Sequence, residues 1–386
     1  MPANFDQVSV AELRNRYAVK WNYYGPDVLP LWVADMDLPV SDEILEALRT
    51  RLTTRIGYPV MGGDPELVQA IIDRQARFGW EGLQPEHVWM ITGVVPGLYA
   101  SVLGLTEPND EIITHTPIYP PFLTAITDHG RVIRANPLVQ TDQGWRMDMN
   151  QLEECVTPRT KLLMLCNPHN PTGRVWTRQE LEQLAAFVIE HDLLVVSDEL
   201  HAELIFDGTH LPFAALGPEL AERTVVLNGP CKAYNTAGLG IGAALSQNKT
   251  LLERMQKATK GVMGHANVMS LEMWLAGLRR GDAWLAEVLT YLRGNRDFVA
   301  QFVRERLPRV KHTAPEGTYL AWLDFTAYPF RDRVHAFLLE NAKVGLNDGP
   351  PFGAAYQGFV RLNFATTRAI LTDALERIER VVNDQD

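Results

Sequence analysis

Short apolar runs closed by turn-forming residues recur through the first two thirds of the chain, with helical periodicity between and after them. Beginning at Val88, Glu111, Lys161, Leu193 and Thr224, these runs read as short buried strands, and Tyr319–Leu323 and Gly358–Phe364 extend the pattern toward the C-terminus. Helices are predicted around Val10 to Tyr17, after Ser41 as N-cap with Asp42 and Glu43 in the first turn, and after Thr177, where Glu180 completes a capping box. Leu251 to Met273 is helical in period but interrupted by G-V-M-G-H-A-N-V, and one long helix is expected over Asp282–Arg306. Near the N-terminus Leu29, Leu31 and Val33 alternate as a short buried strand would, in a segment otherwise broken by Pro and Gly.

At 386 residues the chain is long enough for two domains, and 46% hydrophobic with 22% charged residues is ordinary for a globular protein. No apolar run approaches the roughly 18 residues of a membrane span, and M-P-A-N-F-D-Q lacks the basic and apolar regions of a signal peptide, so a cytoplasmic location is expected. Cys155, Cys166 and Cys231 show no C-x-x-C spacing, which points to reduced thiols and to no metal site. A net charge of −11 argues against nucleic-acid binding while leaving room for a local pocket for an anion.

The chemistry-bearing residues sit where these runs end. Lys232 follows the Thr224 run in a loop of small residues, N-G-P-C-K-A-Y-N-T-A-G-L-G. A desolvated lysine amine loses affinity for its proton, which makes it a candidate for Schiff-base chemistry, against the plainer reading of a solvated loop lysine. Asp198 ends the Leu193 run, where it either caps a turn or faces a ligand. Gly93, Val94 and Val95 precede a helix with Pro96 in its first turn, and unpaired N–H groups at such a start can hold a phosphate. Prolines on both sides of Tyr119 in T-P-I-Y-P-P-F fix its loop. The Pro and Gly residues of N-P-H-N-P-T-G force a tight turn carrying Asn170 at a strand's C-terminal end, where ligands gather in open α/β sheets. Arg361 lies in the alternating strand F-V-R-L-N-F-A, as half of a structural ion pair or as a planar fork for a carboxylate.

Taken together, W-V-A-D-M-D, G-Y-P, T-G-V-V-P, T-P-I-Y-P-P-F, N-P-H-N-P-T-G-R-V-W, S-D-E-L-H and F-V-R-L-N-F-A run from Trp32 to Ala365. They resemble the pyridoxal-phosphate enzymes of fold type I, the aspartate aminotransferase superfamily, and within it the MalY/PatB branch of cystathionine β-lyases. The resemblance implies an α/β transferase fold, with a large domain built on a mostly parallel seven-stranded sheet between helices, plus a smaller α+β domain. The boundaries expected are 46–284 for the large domain, with 1–45 and 285–386 forming the small one. It further implies pyridoxal 5'-phosphate as cofactor, held by Lys232, with Gly93, Val94 and Val95 at its phosphate. Tyr119 would stack on the ring, Asn170 and His201 would lie at the 3' oxygen, and Asp198 at the ring nitrogen. Tyr58 would reach across a homodimer to the partner's phosphate, Arg361 would bind the substrate's α-carboxylate, and Asp35 would lie near the substrate.

The implied activity is a carbon–sulfur β-lyase. Lys232 removes the α-proton of L-cystathionine or a related S-substituted L-cysteine, a thiolate leaves Cβ, and pyruvate and ammonia follow. The runner-up is an aminotransferase that passes the amino group to a 2-oxo acid; racemisation and a regulatory protein of the same fold stand behind it. The chain departs from its relatives at the lysine loop, where Gly229-Pro230-Cys231-Lys232 replaces the usual Ser-Pro-Ser-Lys and Gly240 stands where many members have an arginine. The phosphate would then lean on backbone amides and Tyr58, and Cys231 reads as inert packing or as a reactive thiol.

Overall fold

The computed structural model describes residues 5–15, 18–60, 62–141 and 144–384. Seven of the apolar runs and their neighbours assemble into one sheet: Val88–Ile91 (β1), Glu111–Thr116 (β2), Val132–Pro137 (β3), Thr160–Cys166 (β4), Leu194–Asp198 (β5), Thr224–Asn228 (β6) and Gly242–Leu245 (β7). Their order across the sheet is β1-β7-β6-β5-β4-β2-β3. Every contact in it is parallel except those of β7, which runs antiparallel to both β1 and β6. A strand buried on both faces reads as a continuous apolar run, and six of the seven residues of β4 and all six of β2 are buried.

β7 is absent from the pattern read above because Gly242-Ala243-Ala244-Leu245 carries almost no side chain by which to show a period. Small residues are required there: a Cβ on Gly242 would stand 3.0 Å from the Asn228 carbonyl oxygen. β3 escaped for the opposite reason, being largely exposed at the sheet edge. The helix expected near the N-terminus is described over Val10–Asn15, and its further residues Arg16 and Tyr17 lie outside the described residues. The alternation at Leu29, Leu31 and Val33 yields only a two-residue strand, Leu29–Pro30, parallel to Val344–Gly345; beyond it isolated backbone bonds at Leu31 and Asp37, together with side chains, hold the backbone in place of a continuous ladder.

The predicted caps are present. Ser41 accepts from the Ile44 N–H, and Thr177 with Glu180 forms a reciprocal capping box. The interrupted helical stretch resolves into Lys249–Ala258 and Val268–Arg280, the second N-capped by Asn267, and the long helix spans Asp282–Arg306. A second, antiparallel sheet follows: Lys311–His312 (β8), Leu320–Asp324 (β9), Asn347–Asp348 (β10) and Phe359–Asn363 (β11), in the order β8-β9-β11-β10. Arg361 is the middle residue of β11, paired with Trp322 on one side and Asn347 on the other. Among the described residues no helix is long and apolar enough to cross a membrane.

Between the two sheets runs the arm segment 32–38, held by side chains from three directions. Lys20, 1% exposed, pairs with Asp37 at 2.8 Å and donates to the Asp35 carbonyl, while the Trp21 indole donates to the other Asp37 oxygen. Asn235, three residues past Lys232, accepts from the Met36 N–H and donates to the carbonyls of Met36 and Leu38. Asn363, two residues past Arg361, donates to the carbonyls of Val33 and Asp35. Each amide replaces a strand partner that this backbone lacks, which is why the arm is ordered without a sheet.

Candidate active site

The C-terminal ends of β2, β4, β5 and β6 lie side by side, because the four strands are parallel neighbours; β1, antiparallel to the intervening β7, ends at the same edge. That edge is where an open α/β sheet leaves room for a ligand. Tyr119 follows β2, Asn170 follows β4, Asp198 closes β5, Lys232 follows β6 and Gly93 follows β1, so one edge gathers residues up to 139 positions apart in sequence. The cavity there measures about 460 Å³ and is lined by Gly93, Val94, Val95, Tyr119, Asn170, Asp198, His201, Lys232 and Arg361 among others. Nine of the eleven residues singled out from the sequence are thus brought together. Two are not. Asp35 stays outside the lining, which at that wall is made by Trp32, Val33 and Ala34. Tyr58 is 99% exposed on a loop beside a separate cleft lined by Pro59, Val60, Lys260, Gly261 and Met263 to Ala266, among others.

The electrostatics follow from burial. Asp198 is 6% exposed; one carboxylate oxygen accepts from the Leu200 N–H, and no described cation forms an ion pair with it. Burial pushes its pKa up to about 7, with Glu199 adding to the rise and Lys232 opposing it. A carboxyl in that state fits a ring N–H⁺ placed opposite, which would return it to the ionised form. Its neighbour Glu199 is fully buried and satisfied by the Ser197 hydroxyl, the Phe213 N–H and His210, which anchors the end of β5 from behind. His201, held neutral by burial with its pKa lowered to about 3, keeps an unpartnered Nδ1. Lys232 donates from Nζ to the Ala34 carbonyl at 2.6 Å, and the buried Tyr319 hydroxyl donates to the same oxygen at 3.1 Å.

At the other end, the 12-residue helix Val94–Leu105 starts at Gly93 with no side-chain cap, leaving its first N–H groups for a ligand. Among the described residues Lys232 and Arg361 are the only Lys or Arg side chains in the lining, so the phosphate end carries neutral donors. The departures in the lysine loop have a steric cause. A Cβ on Gly229 would lie 3.1 Å from the Ile241 carbonyl oxygen, and one on Gly240 would lie 3.0 Å from that of Thr92, so either side chain requires the backbone to give. Burial raises the Cys231 pKa, which keeps the thiol protonated and favours the inert reading.

The residues therefore fit pyridoxal phosphate: an amine, a buried carboxyl awaiting a cation, an aromatic ring and an uncapped helix start surround one cavity. Three participants were not singled out from sequence. Tyr319 and Asn347 belong to no motif and meet the site only through tertiary packing. Asn235 stands in the lysine loop, where its positive φ of 54° is adopted by asparagine more readily than by most residues.

A model of the aminotransferase class I and II family matches residues 26–378. The chain is 35% identical to cystathionine beta-lyase PatB of Bacillus subtilis (strain 168), an alignment covering 98% of this chain and 100% of the relative. Among solved structures it superposes on a protein called OvoB with a TM-score of 0.93 at 37% identity, covering 98% and 99% of the two chains. It also superposes on cystalysin of Treponema denticola, whose crystal structure contains a pyridoxal 5'-phosphate cofactor, with a TM-score of 0.94 at 29% identity over the whole of both chains.

Because folding raises the Asp198 pKa from 3.8 to about 7, the folded protein holds that proton while the unfolded chain has released it, so stability from this group falls as pH rises through this window. Cofactor-free wild type should lose roughly 2–3 kcal/mol relative to Asp198→Asn between about pH 5 and pH 8. Urea midpoints at the two pH values measure it; parallel shifts in both proteins would show that Asp198 is not held in this state.

Proposed function

The chain belongs to the aminotransferase class I and II family, and from that premise we propose that it is a pyridoxal-phosphate-dependent carbon–sulfur β-lyase. The reading takes as substrate L-cystathionine or a related S-substituted L-cysteine, with thiol, pyruvate and ammonia as products. The observation that carries it is the convergence of Lys232, Asp198, Asn170 and Arg361 on one cavity, in a chain 35% identical to a cystathionine β-lyase across its whole length.

When bound, the cofactor supplies an electron-withdrawing ring that stabilises negative charge at the substrate's Cα. The chain's own residues do the rest. Arg361 is fully buried and has no carboxylate partner among the described residues, so it presents its fork to the α-carboxylate and fixes the substrate. With the cofactor bound, Asp198 would hold the proton at its ring nitrogen, Asn170 and His201 would be the groups for its 3' oxygen, and Tyr119 the aromatic ring for its face, all four lining the cavity. Lys232 takes the α-proton at Nζ, with the Ala34 carbonyl as the acceptor that keeps the amine in place. That proton is then available to the sulfur leaving from Cβ, and water converts the remaining fragment to pyruvate and ammonia.

A homodimer with shared sites is part of the proposal. Tyr58, Val60 and Val262 are 99%, 61% and 87% exposed on two loops bordering one cleft, and exposed apolar clusters of this kind mark association surfaces. Tyr58 is exposed to solvent and lies outside the lining of its own chain's cavity, which leaves it available to the phosphate of a second copy. A cytoplasmic location is supported by three cysteines that are all unpaired.

The test is product analysis of the loaded protein with L-cystathionine, with and without a 2-oxo acid. Homocysteine, pyruvate and ammonia should form without the 2-oxo acid, at a rate that falls by at least about 10³-fold in Lys232→Ala. Turnover that requires the 2-oxo acid would make the protein an aminotransferase instead. For the shared site, mixed Lys232→Ala and Tyr58→Ala subunits should recover about a quarter of wild-type activity, since half the dimers then carry one intact site. No recovery on mixing would place Tyr58 outside the partner's site.

A further inference from the structure

Arg361 is prepared for an anion by neutral partners only. Its guanidinium, 3% exposed, donates to Asn170 Oδ1 at 2.9 Å, to the Trp32 carbonyl at 3.2 Å and to Asn347 Oδ1 at 2.6 Å, and it stacks over Phe352. Its Nε is buried with no partner. Burial lowers the pKa to about 10, which leaves the group charged at neutral pH. Asn347 makes the shortest of the three contacts.

Asn347 lies directly opposite Arg361 on the neighbouring antiparallel strand, β10, and lines the same cavity. Arginine is a donor only, so the atom of Asn347 that faces it must be the carbonyl oxygen. Its amide nitrogen is the other branch of the same planar group, and it makes no hydrogen bond to the described residues. One side chain therefore does two things: Oδ1 sets the plane of the guanidinium without neutralising it, and Nδ2 remains as an unpaired donor beside it.

We propose that Asn347 is a specificity-determining residue for the substrate's α-carboxylate, orienting Arg361 through Oδ1 and adding a donor through Nδ2. The inference rests on the reading of Arg361 as the carboxylate site. An aspartate at 347 has the same shape but the opposite effect, because it pairs with the guanidinium and turns an acceptor toward the incoming anion. Leucine, similar in size, removes both contacts without adding charge.

The experiment compares loaded wild type, Asn347→Asp and Asn347→Leu for equilibrium binding of L-alanine and of ethylamine, its counterpart without the carboxylate, followed through the cofactor's absorbance. Binding of L-alanine should weaken about 10-fold in Asn347→Leu and about 100-fold in Asn347→Asp, while ethylamine binding stays within about 2-fold in both. In turnover the same variants should raise KM more than they lower kcat. Equal weakening of both ligands, or unchanged L-alanine binding in both variants, overturns the proposal. Wild type that binds L-alanine no better than ethylamine would remove the carboxylate reading of Arg361, and this inference with it, without touching the assignment of Lys232.

Discussion

The hydrogen-bonded grip on the arm segment 32–38 is the constraint from which the site's geometry follows. This backbone has no ladder of its own, and its carbonyls would be costly to bury unpaired. Lys20, Asn235 and Asn363 satisfy most of them, and two of those three residues sit beside the groups to which the proposed chemistry is assigned: Asn235 in the lysine loop and Asn363 on the arginine strand. The arm thereby fixes the distance between the amine and the guanidinium, and it offers the Ala34 and Trp32 carbonyls to each of them in turn. A buried ion pair such as Lys20–Asp37 is weak evidence for stability by itself; here it terminates the arm at a defined position.

The charge distribution around the cavity has the same economy. Among the described residues Asp198 forms no ion pair, with Lys232 acting on it only through space, Arg361 has no carboxylate partner, and the helix start at Gly93 carries no capping side chain. Each leaves polar or charged groups unpaired in the chain alone, and on the proposed reading each would pair favourably, with a ring nitrogen, a carboxylate and a phosphate respectively. On that reading binding energy would be available at three places around one cavity, which is what an enzyme that positions an amino acid over a cofactor requires.

Much of this was legible in the sequence because the residues concerned lie in stretches that local geometry constrains. Apolar runs closed by Pro, Gly, Asn or Asp identified β2, β4, β5 and β6 and the residues at their ends, and the caps at Ser41 and Thr177 follow from side-chain chemistry alone. β7 was not legible, since close packing against Asn228 demands glycine and alanine and so erases the alternation. Asn347 and Tyr319 were not legible either, because their partners Arg361 and Ala34 lie 14 and 285 residues away. Tyr58 shows the opposite limit: its motif was plain, but within one chain it faces outward.

The proposed chemistry rests on the amine at the end of β6, that of Lys232, being the one that holds the cofactor. Borohydride treatment of the loaded protein fixes the cofactor to whichever lysine carries it, and peptide mass mapping then locates it. The expected result is a single modified peptide containing Lys232. A modification at Lys20 or Lys260, or none at all, would rule out Lys232 as the cofactor's lysine.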